Sequence, residues 1–184
     1  MTEAPEAPKL PTFEYEARPM KTEPEEPESK SGLELLPAEM IEGVDCLEVI
    51  LEEMPSIVEI GKNMITLCAE KGGVGLAAPQ IGVFKTFFVY RRDKNTFQLI
   101  INPKYYKDGK KTNVVEMCLS YPGQRYFLPR WKKIRASFLS YDGKEFIRQT
   151  KMMSAEKAFI YEHECDHLIG KTIKTHGVLM DEQD

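Results

Sequence analysis

Residues 154–170 read SAEKAFIYEHECDHLIG, and within them stands His163-Glu164-Cys165-Asp166-His167. Ser154 is an N-cap by residue type and Gly170 a helix stop, so the stretch is expected to form one helix to about Ile169. Residues four apart share a helix face, so the imidazoles of His163 and His167 can reach one ion. Glu164 sits about 100° further round the helix, where its carboxylate can take a proton from a water held by that ion. The bland alternative is a solvated helix with two incidental histidines. Against it stands the mechanism that this spacing with this Glu supports; His163, His167 and His176 are the only three histidines in the chain. The pattern alone does not choose among metallohydrolases, since many zinc peptidases use it.

A catalytic metal usually has a third protein ligand and an open position. Cys118, Cys165, Asp166 and His176 are the candidates. Helix geometry turns Cys165 and Asp166 off the face that His163 and His167 share. Cys118 lies in Glu116-Met117-Cys118-Leu119-Ser120, ahead of a turn at Tyr121-Pro122-Gly123. Taken alone, a lone cysteine is more often a small buried hydrophobe. A further segment, residues 73–82, reads GVGLAAPQIG. Its glycines and alanines let backbone approach something closely. It lacks the Gly-Lys-Ser/Thr ending of a phosphate loop, and Pro79 breaks a dinucleotide-binding turn.

Around these segments the chain reads as one domain of mixed structure. Its 184 residues suit a single core. Ile57, Ile60, Met64, Ile65, Leu67 and Cys68 recur at helical spacing between Pro55 and Lys71, and Gly72-Gly73 ends the run. Phe84–Tyr90 and Phe97–Ile101 read as strands, the second closed by Asn102-Pro103. Asp108-Gly109 and Asp142-Gly143 are turn signals, and residues 134–141 and 145–149 should pair as a hairpin around the latter. The order helix, strands, helix points to an α+β fold, with antiparallel strands around a central metal-binding helix.

Residues 1–30 differ from the rest. They hold six of the twelve prolines and eight glutamates, and their net charge of −4 equals that of the whole chain. This composition predicts a flexible acidic tail, with residues 31–184 as the folded domain. Only Thr12–Ala17 alternates like a strand that could dock on a sheet edge. Beyond residue 30 the charges balance, which argues against general nucleic-acid binding. No apolar run is long enough for a membrane span, and the N-terminus has neither a secretory h-region nor an Arg-rich transit composition. The four cysteines are not spaced as a disulfide scaffold. A cytoplasmic protein of a bacterium, or of a virus-infected bacterium, is the expectation.

Taken together, residues 73–80, 116–120 and 163–167 resemble three ordered motifs of the peptide deformylase family. Ile101-Asn102-Pro103, Gln124-Arg125, Leu128-Pro129-Arg130 and Asp142-Gly143-Lys144 look like further family positions, so the resemblance covers about residues 45–175. It implies a peptide deformylase-like fold and hydrolytic removal of the formyl group from N-formylmethionyl peptides. Cys118, His163 and His167 match the metal ligands and Glu164 the general acid/base. Gln80 and the backbone N–H of Leu119 match the oxyanion donors. Val74, Gly75, Glu116, Met117, Arg125, Phe159 and Ile160 fall at substrate-binding positions, and Glu116 is expected beside Arg130. The cofactor implied is one divalent ion, Fe2+ in the cell, with Zn2+, Ni2+ or Co2+ able to replace it.

Three departures stand out. Met117 replaces the usual glycine beside Cys118, and Glu156 lies where apolar residues usually line the methionine pocket. Only seventeen residues follow His167, too few for the long C-terminal helix with which many bacterial members dock on the ribosome. Short versions resemble those of some bacterial viruses. A zinc endopeptidase on the same helix, or a silent binding protein on the same scaffold, are the competing readings. The first leaves Cys118 and Gln80 without a role, and the second usually lacks a ligand or the Glu.

Overall fold

The computed structural model describes residues 30–94 and 96–180. The acidic tail before Lys30, with its strand-like Thr12–Ala17, therefore lies outside the described residues. The elements are α1 (Met54–Glu70), β1 (Gly75–Ala77), β2 (Phe87–Asp93), β3 (Thr96–Cys118), β4 (Tyr121–Tyr141), β5 (Phe146–Ser154), α2 (Glu156–His167), the short α3 (Ile173–His176) and β6 (Val178–Leu179). One sheet takes the order β1-β2-β3-β4-β5, with β6 on β4, and every pair is antiparallel. No helix among the described residues is long and apolar enough to cross a membrane.

The short strand β2 explains the layering. Its run Phe87-Phe88-Val89-Tyr90 is buried throughout, and alternation sends the side chains to opposite faces. Phe87 and Val89 pack with Ile57, Met64 and Leu67 of α1. Phe88 and Tyr90 pack with Ala158, Tyr161 and Cys165 of α2, and with Ile134, Ala136 and Phe138 of β4. Burial of each such side chain is worth about 1.5–3 kcal/mol. The helix α2 thus runs through the middle of the molecule, enclosed by strands.

The long hairpin β3–β4 departs from the sequence reading. Asn102-Pro103 was expected to end a strand and Asp108-Gly109 to turn the chain. Both instead lie inside β3, at register shifts between Ile101 and Lys104 and between Asp108 and Lys111. Asn102 has φ of 48° and Gly109 of 80°, and the extra residues bulge without breaking the pairing. The Asn102 side chain accepts from Val49 N at 2.9 Å and donates to Val49 O at 2.8 Å, which anchors the first bulge. The Asp142-Gly143 hairpin is present, with Tyr141 opposite Phe146 and Asp142 Oδ1 accepting from Lys144 N and Glu145 N. Two smaller corrections concern strand β2, which starts at Phe87 rather than Phe84, and Ser154, which ends β5 instead of capping α2. Ala155 holds the N-cap position with φ of 50° and no side-chain cap.

Candidate metal centre

A β-strand end and a helix face deliver the three donor residues. Cys118 closes β3 at another register shift and faces Tyr121 across a two-residue turn. His163 and His167 lie one turn apart on α2, their ring centroids 4.9 Å apart. One ligand atom from each of Cys118, His163 and His167 falls within 4.8 Å of the others, and Cys118 Sγ is 3.3 Å from His167 Nε2. As helix geometry predicts, Cys165 packs into the core and Asp166 pairs with Arg130.

The chemistry of this donor set fits a divalent transition ion. Burial works against the Cys118 thiolate, but hydrogen bonds from His163 and His167 bring the thiol down to about 5. Burial likewise opposes charge on His163, while its bonds to Cys118 and Glu116 hold its affinity for a proton well above the usual range. His163 Nδ1 lies 2.8 Å from Glu116 Oε2, which leaves Nε2 for the centre. A carboxylate behind a ligating imidazole fixes ring and tautomer. A thiolate with two imidazoles, in a cleft that Cys118 and His163 line, would suit a catalytic rather than a structural ion.

Behind the donors runs a buried chain of charges. Arg130 grips Glu116 with Nε at 2.7 Å and Nη2 at 2.8 Å, as the resemblance predicted. Its Nη1 donates to Asp166 Oδ2 at 2.5 Å, and His176 Nε2 lies 3.0 Å from that oxygen. Glu116 is buried, but Arg130 and His163 hold its carboxyl at about 2. Asp166, also opposed by burial, is held at about 2 by His176 and Arg130. Asp166 and His176 were weighed in the sequence only as ligand candidates; their pairing with Arg130 and with each other depends on how β4 and α3 lie beside α2.

Two side chains face the centre from within the cleft. Burial raises the Glu164 carboxyl to about 8, and its Oε2 has no hydrogen-bond partner among the described residues. It has room because residue 75 is glycine: a Cβ there would lie 2.2 Å from Glu164 Oε1. Gln80 sits in the 3₁₀ turn Ala78–Ile81. Its Oε1 accepts from Ala77 N at 2.8 Å. That bond sends Nε2 toward Ser120 Oγ, 3.0 Å away, and Cys118 Sγ, 3.5 Å away.

The cleft encloses about 840 Å³. Val74, Gly75, Gln80, Glu116, Met117, Cys118, Leu119, Phe159, Ile160, His163 and Glu164 all line it, and His167 lies just behind. Glu156 lies on its wall, and so does Leu35 from the segment before α1, which the sequence reading missed. Arg125 is not in the lining. It is exposed on β4 between Gln124 and the buried Tyr126, and strand alternation turns it away from Tyr126 and Leu128.

The family model described as polypeptide deformylase matches residues 43–182. The peptide deformylase of Baumannia cicadellinicola subsp. Homalodisca coagulata is 36% identical over 118 residues, which cover 63% of this chain and 69% of that protein. Among solved structures, the peptide deformylase from Thermotoga maritima is 26% identical with a TM-score of 0.70, covering 78% of this chain and 96% of that one. A probable peptide deformylase from synechococcus phage S-SSM7 is 28% identical with a TM-score of 0.69, covering 78% and 99%.

Proposed function

We propose that this chain, which belongs to the polypeptide deformylase family, works through one divalent metal ion held by Cys118, His163 and His167. It is an enzyme that removes the N-formyl group from nascent peptides. The observation that carries the assignment of residues is the meeting of these three donors beside Glu164 in one cleft. When bound, the ion supplies Lewis acidity, lowering the pKa of a water and polarising the formyl oxygen.

The chain's own residues supply the rest. Glu164 takes the proton of the attacking water and passes it to the leaving amine as the bond between formyl carbon and nitrogen breaks, giving formate and a free N-terminus. Its position suits this exchange, because it faces the centre from the cleft with Oε2 free of hydrogen-bond partners among the described residues. Gln80 Nε2 and the backbone N–H of Leu119 donate to the charge that develops on the formyl oxygen. Val74, Phe159 and Ile160 receive the methionine side chain, and Glu116 keeps the His163 ring turned to the centre.

The ion in the cell is Fe2+, and the compartment is the cytoplasm of a bacterium or an infected bacterial host. Met117, 63% exposed on the cleft wall, narrows the entrance and favours small side chains directly after formyl-methionine. Formate release from formyl-Met-Ala-Ser, set against casein cleavage, separates a deformylase from an endopeptidase. Across formyl-Met-X peptides, kcat/KM should fall as X grows from Ala to Trp, and Met117→Gly should flatten that fall. An unchanged profile in Met117→Gly removes the steric role of this side chain.

A further inference from the structure

The balance of charge beyond residue 30 is an average that the fold separates in space. Residues 104–111, 132–135 and 148–151 contain nine Lys and Arg against one acid, Asp108. They lie side by side on β3, β4 and β5, with Tyr106 opposite Arg135 and Lys104 opposite Ser137. Ile134, Ala136 and Phe138 are buried against α2, so alternation turns Lys133, Arg135 and Ser137 to the outer face. All nine cations are exposed; Lys104, Lys133 and Arg135 share the outer face, while Lys107 opposite Ile134 and Lys151 opposite Ala136 project on the other. Among the described residues, one carboxylate forms an ion pair with them: Glu48, 3.3 Å from Lys104.

This face also has shape. A shallow hollow of about 320 Å³ is lined by Lys104, Tyr106, Arg135, Ser137 and Thr150. Tyr106 is 61% exposed, and the Arg135 guanidinium lies 5.2 Å from its ring centroid. An exposed aromatic ring among exposed cations is the pairing that single-stranded nucleic acid uses: cations follow the phosphates and the ring stacks a base on its free side. An acidic protein segment would satisfy the cations and leave Tyr106 without a planar partner. The hydroxyls of Ser137 and Thr150 offer partners for a ribose 2′-OH, which DNA lacks.

We propose that the outer face of β3, β4 and β5 binds single-stranded RNA, with phosphates on Lys104, Lys133 and Arg135 and a base stacked on Tyr106. The surface is separate from the cleft, and the inference does not depend on the metal centre. The test is fluorescence anisotropy of the full chain with a labelled RNA of about 20 nucleotides at low salt. The same-sequence DNA and a polyglutamate of matched charge serve as competitors. Affinity should fall with salt at roughly 0.7 log units per phosphate engaged. Lys133→Glu with Arg135→Glu should weaken binding about tenfold or more. Tyr106→Ala should weaken it by about fivefold or more. Lys62→Glu with Lys94→Glu, the same charge change elsewhere, should have less effect than either. Turnover of formyl-Met-Ala-Ser should be unchanged in all three variants, which also checks folding. The proposal is overturned if the full chain does not bind the RNA, if the Lys133/Arg135 variant binds as the wild type does, or if DNA or polyglutamate displaces the RNA as well as RNA itself.

Discussion

A methyl group at position 75 would lie 2.2 Å from Glu164 Oε1 and 2.8 Å from its Cδ. Both contacts are too close, so either the carboxylate or β1 must move. Displacement by about 1 Å of a group that transfers a proton can cost about a hundredfold in rate. Gly75→Ala should therefore lower kcat by about two orders of magnitude while one metal per chain is retained, because Cys118, His163 and His167 are untouched. Steady-state kinetics with metal analysis checks this, and a Gly75→Ala enzyme with wild-type kcat would show that Glu164 has freedom the structure does not give it. The importance of this glycine was partly legible in the sequence. A close backbone approach could be read from GVGLAA, but the carboxylate it approaches is 89 positions away and appears only in the fold.

At the scale of elements, the two long helices were legible for different reasons. α1 is an ordinary amphipathic helix, expected over residues 55–71 and found at Met54–Glu70. α2 buries Glu162, Glu164 and His167, so apolar periodicity says little and the metal-binding spacing located it. The bulges of β3 were not legible, because Asn-Pro and Asp-Gly look the same locally whether the partner strand ends or continues. Ala155 joins β5 to α2 with φ of 50° and ψ of −132°, a conformation that side chains other than glycine rarely adopt. Ala155→Gly should raise stability by about 1 kcal/mol, read as a higher urea midpoint. A lower midpoint would mean that no strain is stored there. The charge chain ties β3, β4 and α2 together. Arg130→Leu leaves Glu116 and Asp166 buried without their cation and should cost about 3–5 kcal/mol at neutral pH. Both carboxyls have folded pKa values depressed to about 2. Their contribution is therefore fully present above the ordinary carboxylate range and is lost as pH falls toward about 2. Urea unfolding should show the gap between wild type and Arg130→Leu narrowing as pH falls from 7 to 3, and a gap independent of pH would contradict the assignment.

At the scale of the whole molecule, the fold brings together three segments that the sequence keeps apart. Gly73–Gly75 and Gln80 from the first segment, Glu116–Leu119 from the second, and His163 and Glu164 from α2 all line the cleft, with His167 closing the donor set. Their grouping was legible because all three carry motifs resembling one family. The contribution of Leu35 and the gathering of Lys104, Lys133 and Arg135 on one sheet face were not, because both depend on how distant segments lie side by side. The central claim is that Cys118, His163 and His167 hold an ion while Glu164 moves the proton. It is tested most directly by metal content and formate release from formyl-Met-Ala-Ser, measured on wild type and Glu164→Gln purified without oxygen. The account predicts one metal per chain in both proteins, with turnover in Glu164→Gln lower by about 10²–10⁴. A metal-loaded Glu164→Gln protein that turns over at the wild-type rate would contradict it.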